Sequence, residues 1–193
     1  MDEKTRLEGL AASPLQPITI KLSELAETVD LRDRLFVRAA TVGSPVGEMV
    51  VCWNQLGLAW VRLREASLDV LTDARASGRP VMEQADAPSW LADAVGDLDT
   101  AVPVDLLSVS PFQRRVLEAA RDISRGQTRP YGWVAEKIGQ PRAVRAVGTA
   151  LARNPVPLVV PCHRVVKADG SVGNYIFGMA AKERLLSIEE ESA

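Results

Sequence analysis

At 193 residues, 47% apolar and 25% charged, with a formal net charge of −2, the chain can bury one large core or two small ones and is neither a polycation nor an acidic disordered segment. Two cysteines exclude a disulfide scaffold at this length, and a single histidine beside them leaves too few ligands for a protein-only zinc site, so no metal is expected. No apolar stretch is long enough to span a bilayer, and Met1-Asp2-Glu3-Lys4 lacks the basic-then-apolar pattern of a signal peptide, so a soluble protein of a reducing, intracellular compartment is expected, cytoplasmic (nucleoid-associated in a prokaryote, nuclear in a eukaryote).

Residues 1–33 are mixed and polar, with a short helix predicted at Lys21–Thr28. Arg34 to Val42 predicts a strand, Ser44-Pro45-Val46-Gly47 a turn, Glu48–Trp53 a second strand, Asn54–Gly57 a second turn and Leu58–Leu63 a third strand. Together they form a small antiparallel meander. Helices are predicted over Ser67–Ser77, closed by Gly78, and over Ala87–Leu98. Residues 99–109, with Pro103 and few periodic cues, read as a connection between domains.

The second half opens with a strong helix start, Ser110-Pro111-Phe112-Gln113: Ser as the cap, Pro at the first helical position and Gln three residues after the cap. Phe112, Val116, Ala119 or Ala120, and Ile123 form its buried stripe. Tyr131–Ile138 is a short helix that turns Val134, Ala135 and Ile138 inward and stops at Gly139. Pro141 restarts a helix that runs to Arg153, with Val144, Val147, Gly148 and Leu151 inward and Arg142, Arg145 and Thr149 on another face. Two short helices across a tight turn make a helix-turn-helix candidate. The alternative is an ordinary helical hairpin.

Charge brings the two readings level. Residues 1–107 hold 10 basic and 17 acidic side chains, residues 108–193 hold 13 and eight, and residues 110–167 hold 11 and three. Such a local basic block suits a polyanion such as DNA. Ala143, Ala146 and Gly148 are small enough to let the second helix approach a ligand closely.

Leu158-Val159-Val160 predicts a short buried strand, and Pro161-Cys162-His163-Arg164 follows directly. A cysteine beside the only histidine is a nucleophile candidate, because the thiolate reacts and a base must generate it. Strand neighbours point to opposite faces, so Cys162 and His163 need a turn or a bridging water to share a proton. Glu183, on a face with Met179 and Leu186, is either a partly buried charge with a partner, and then a candidate acid to orient His163, or simply the edge of the apolar stripe, while Lys182 and Arg184 fit a solvated face. Asn154 reads as a turn residue, and Gly170–Tyr175 as a flexible pocket wall or lid.

The run Asn154-Pro155-Val156-Pro157-Leu158-Val159-Val160-Pro161-Cys162-His163-Arg164-Val165-Val166 closely resembles the O6-alkylguanine-DNA alkyltransferases. So do Ser110–Gln113, Tyr131-Gly132, Arg142–Gly148, Gly170–Tyr175 and Lys182–Leu186. The match is strong over 110–188 and weaker over 34–107, and residues 1–33 lie outside it as an extension of unknown role.

The resemblance implies an α/β (α+β) fold. A small antiparallel-sheet domain with helices would span 34–107, and a mainly helical domain with a helix-turn-helix 108–193. It also implies a single-use, cofactor-free transfer of the alkyl group of O6-alkylguanine in double-stranded DNA to Cys162 by a monomer. O4-alkylthymine is a further candidate lesion.

In that scheme His163 acts as base through a water and Glu183 orients it. Asn154 braces the cysteine loop. Tyr131 presses on the target phosphate and protonates the departing guanine, and Arg145 fills the gap left by the flipped base. Val160, Val165, Ser171, Gly173 and Tyr175 would hold the base, while Arg142, Ala143, Ala146, Gly148, Thr128 and Arg153 would meet the DNA. Ile176-Phe177 departs from the small residues usual in the family and would reshape the pocket. Two rival readings are a non-catalytic sensor of flipped alkylated bases and a cysteine hydrolase.

Overall fold

In the computed structural model, residues 34, 36–64, 69–98 and 101–192 are described. The proposed helix at Lys21–Thr28 and the role of 1–33 fall outside that range.

Runs of β-branched, aromatic and small apolar residues build β1 (Val37–Val42), β2 (Met49–Asn54) and β3 (Gly57–Leu63), paired antiparallel in the expected meander. β1 begins three residues later than the sequence suggests. Alternation sorts the strands onto two faces. Met49, Val51 and Trp53 face one core, and Val50 and Cys52 face another that includes Val70 and Ala74. A fourth strand, β4 (Val81–Gln84), lies parallel to β1 where the sequence reading had none, giving the order β3-β2-β1-β4.

The two predicted N-terminal helices are shorter than expected. α1 covers Val70–Arg75 and α2 Ser89–Gly96. Asp69 Oδ1 accepts the Leu71 and Thr72 amides at 2.9 and 3.0 Å and so fixes the start of α1.

Within the stretch read as a connection, residues 103–105 lie against the edge of β3. Leu58 N–H donates to Pro103 O and Asp105 N–H to Leu58 O, at 3.0 and 2.8 Å, and Leu58 bridges Val104. This close approach requires Gly57, where φ is +122° and a Cβ would sit 2.3 Å from Pro103 O.

In α3 (Pro111–Arg121), Ser110 Oγ accepts the Gln113 amide at 3.2 Å, as the capping pattern predicts. Val116, Ala119, Ala120 and Ile123 are buried. The Gln113 side chain donates to Ala150 O and Arg153 O, tying α3 to the end of α5 (Val144–Ala152). Between them lies α4 (Tyr131–Lys137), entered through a two-residue strand β5 (Arg129–Pro130) that pairs with β6 (Val165–Val166).

α5 starts at Val144 rather than Pro141, and Val144 is 39% exposed, so its inner face is Val147, Ala150 and Leu151. The last helix, α6, covers Met179–Glu191.

The apolar core runs without a break from Met49 and Val51 on the sheet to Val116, Leu117, Val147 and Leu185 on the helices. The described residues, 34 to 192, accordingly form one compact unit. Among the described residues no helix is long and apolar enough to cross a membrane.

Candidate active site

The segment before Cys162 is not a strand. Residues 154–166 are all buried, but Leu158 has φ +77° and, before Cys162, the described ladder contact is an isolated Pro157–Val160 bridge. A leucine in that left-handed conformation costs about 1–2 kcal/mol, borne here by the surrounding packing. The chain then winds into a single 3-10 turn, Cys162–Arg164, with Cys162 N–H donating to Val160 O at 2.8 Å and Arg164 N–H to Pro161 O at 3.0 Å. Consecutive residues in such a turn do not alternate between opposite faces, which removes the difficulty a strand posed for Cys162 and His163.

The carboxylate that meets His163 is Glu189, not Glu183. Glu189 Oε1 lies 2.9 Å from His163 Nε2, and both side chains are fully buried. The buried face of α6 is Lys182, Leu185 and Glu189, whereas Glu183 is exposed and Met179 is 55% exposed.

Glu189 also receives Arg164 Nε at 2.9 Å and Nη2 at 2.7 Å, and Arg164 Nη1 donates to Ile123 O. Burial works to raise the Glu189 carboxyl, but the hydrogen bonds and charges of His163 and Arg164 outweigh it and hold the group near about 2. An ionised Glu189 needs a proton on Nε2, leaving Nδ1 with a lone pair. Nδ1 is buried and has no hydrogen-bond partner among the described residues. Burial also lowers the imidazole's own pKa, so at neutral pH the ring is a neutral base.

Cys162 is 6% exposed, and its Sγ accepts Asn154 Nδ2 at 3.2 Å. The same amide donates to Val160 O at 2.9 Å, and Asn154 Oδ1 takes the Val156 amide at 3.0 Å. Asn154 thereby ties Val160 O, Cys162 Sγ and the Val156 amide together. Burial pushes the thiol upward, while Asn154, Lys182 and Arg62 pull the other way. The resting group is a thiol that a base must deprotonate.

One buried cation and one partly buried one escaped the sequence reading. Lys182, expected in solvent, is fully buried with Nζ 2.6 Å from Val165 O, and burial brings it down to about 8. Arg62 reaches across from β3 to the carbonyls of Asn154 and Pro155 at 3.2 and 3.3 Å. Apolar alternation along β3 flags its buried positions and is silent about where a partly buried arginine points.

A cavity of about 580 Å³ opens above Cys162, lined by Tyr131, Arg145, Gly148, Thr149, Gly173, Tyr175 and Ile176 among others. Of the residues singled out from the sequence, Tyr131, Arg145, Gly148, Cys162, Gly173 and Tyr175 line it. Lys167 also lines it and was not anticipated.

Tyr175 stacks edge-on against His163 (6.2 Å between centroids) and Phe177 (5.5 Å), and its buried Oη has no hydrogen-bond partner among the described residues. Burial keeps Tyr131 protonated to higher pH than usual, with the Cys162 charge adding to it.

Three residues expected to hold the base carry other hydrogen bonds here. Val160 O already accepts two hydrogen bonds, from Asn154 and Cys162, which fills both lone pairs. Val165 O accepts from Lys182 and keeps one lone pair. Ser171 is exposed and bonded to Asp169 in a turn. Arg142, Ala146 and Arg153 are exposed on or beside α5, Ala143 is half-buried at its cap, and Thr128 is exposed before β5. Among the described residues no cluster of His, Cys, Asp or Glu could hold a metal ion.

The model of the 6-O-methylguanine DNA methyltransferase DNA-binding domain matches residues 111–191. The methylated-DNA–protein-cysteine methyltransferase of Mycolicibacterium paratuberculosis is 38% identical over 153 residues, which is 77% of this chain and 90% of the relative. That of Methanosarcina acetivorans is 32% identical over 149 residues, 76% and 94% of the two chains. The crystal structure of Mycobacterium tuberculosis OGT in complex with DNA superimposes with a TM-score of 0.64 at 32% identity, over 82% of this chain and 94% of that one. The likeness runs through the sheet as well as the helices, and the chain belongs to the methylated-DNA–protein-cysteine methyltransferase family.

Proposed function

We propose that this protein repairs DNA by direct reversal, moving the alkyl group of O6-alkylguanine in duplex DNA onto Cys162 as a single-use monomer. The observation that carries this reading is the buried Cys162 at the floor of a cavity, beside a histidine held neutral and oriented by Glu189.

His163 Nδ1 takes the thiol proton through a bridging water. Sγ then attacks the alkyl carbon, and the S–C bond forms as the C–O6 bond breaks with its electron pair left on guanine. Tyr131 protonates the departing base and recovers a proton from His163 by way of solvent. A positioned general base of this kind contributes roughly 10²–10⁴-fold.

The base must leave the duplex to reach Cys162, at a cost of a few kcal/mol. α4 and α5 act as the helix-turn-helix, with Arg145 at the cavity mouth stabilising the extruded state and Arg142 and Arg153 meeting phosphates. The sensor reading is disfavoured by the retained cysteine. A hydrolase leaves the exposed arginines of α5 without a role.

The test compares wild type with Cys162→Ser on a duplex carrying labelled O6-methylguanine. Both should bind, and only wild type should take up label. Labelling of the serine variant contradicts the assignment.

A further inference from the structure

Arg62 stands on β3, in the half of the chain that carries none of the nucleophile, base or acid. Its guanidinium donates to Val61 O at 2.6 Å, Asn154 O at 3.2 Å and Pro155 O at 3.3 Å. One residue earlier, Val61 N–H donates to Pro155 O at 2.8 Å. Asn154 in turn donates its side-chain amide to Cys162 Sγ. Two successive links thus lead from the sheet to the reacting sulfur. Arg62 also lies over the Trp60 ring at 5.3 Å, which fixes its side chain from behind.

Its bonds go to carbonyls and its ring contact to Trp60, and among the described residues no carboxylate offsets its charge. A half-buried cation without a carboxylate costs desolvation, evident in the lowering of its own pKa by burial. That cost is explained if the charge has another anion to favour. The anion that forms in this site is the Cys162 thiolate.

We propose that Arg62 is a positioning residue for alkyl transfer, holding the Asn154–Pro155 backbone against the sheet and lending its uncompensated charge to Cys162. The inference rests on the transfer reading above, and it makes the N-terminal sheet part of the reactive apparatus. The other titratable groups facing Cys162 are Lys182 from α6, His163 on its own turn backed by Glu189, Tyr131 from α4 and Tyr175 from the loop before α6.

The test is the pH dependence of Cys162 alkylation by iodoacetamide, read by peptide mass spectrometry, with Arg62→Met, Arg62→Gln and Arg62→Lys beside wild type. Cys52, raised by burial to about 12, is the slow internal control. Removing a nearby positive charge should move the rising limb up by about one pH unit. Because a less acidic thiol is also more nucleophilic, the loss at neutral pH should be about three- to tenfold. Arg62→Met and Arg62→Gln should both show it, and Arg62→Lys should keep the wild-type limb.

If all three variants lose rate alike with the limb unmoved, Arg62 is only a staple and the proposal fails. An unaltered rate in both neutral variants also overturns it. Alkylation by iodoacetamide needs no DNA, so a failure of wild type to demethylate DNA would show separately in the labelled-duplex assay.

Discussion

Replacing Glu189 by glutamine keeps the shape of the side chain and removes the charge shared by His163 and Arg164. The carboxyl falls from an ordinary 4.5 to about 2 in the folded chain, worth about 3 kcal/mol at roughly 1.4 kcal/mol per pH unit. Breaking a buried pair by removing one partner costs a similar 3–5 kcal/mol, since Arg164 stays buried with its charge uncompensated. For a unit of this size that is a fall in Tm of roughly 6–20 °C.

The same linkage sets the acid limit. Stability from a depressed carboxylate is present above pH 4.5 and is lost as pH falls from there through about 2. His163, whose pKa burial depresses, acts in the same direction below its ordinary 6.5, because the unfolded chain binds the proton more readily.

On transfer, Glu189→Gln should slow single-turnover demethylation of an O6-methylguanine duplex by about 10²-fold or more, because Nε2 loses the anion that fixes the tautomer. The double variant Glu189→Gln/Arg164→Met should recover much of the lost Tm and none of the rate. Glu183→Gln should match wild type in both. A Glu189→Gln protein that transfers within about threefold of wild type, or a Glu183→Gln protein with a comparable loss, refutes the assignment.

Ile176 lines the cavity, whereas Phe177 packs edge-on against Tyr175. Ile176→Ser should therefore raise the benzyl-to-methyl rate ratio, by about fivefold or more given the roughly 1–3 kcal/mol cost of overpacking. Phe177→Gly should lower Tm and leave that ratio nearly unchanged. Arg145→Ala should slow repair of the lesion in duplex DNA more than transfer from free O6-benzylguanine. Equal slowing of both would place Arg145 in the pocket rather than in base extrusion.

The parts of the site written as local sequence were the parts that could be read. Pro161–Arg164 and Asn154 lie within one short stretch, and the Ser110 cap is a four-residue pattern whose partners are its own neighbours. The acid was misread for a physical reason. Two of the three buried positions on α6 are the charged residues Lys182 and Glu189, so apolar periodicity points to the wrong face. Glu189 is recognisable only once Arg164 and His163 are seen to need a shared anion.

β4 was missed because Val81-Met82-Glu83-Gln84 lacks alternation, and its pairing with β1 is a long-range parallel contact. Arg62 was missed because its partners are backbone carbonyls some 90 residues away, which carry no side-chain signature.

The most direct test of single-use transfer is a titration of the protein with O6-methylguanine duplex, followed by intact and peptide mass spectrometry. One methyl mass should appear on Cys162 for each lesion removed, with Cys52 unmodified and repair ceasing when the protein is consumed. Removal of more lesions than there are protein molecules, or a methyl group on any residue other than Cys162, would contradict the account.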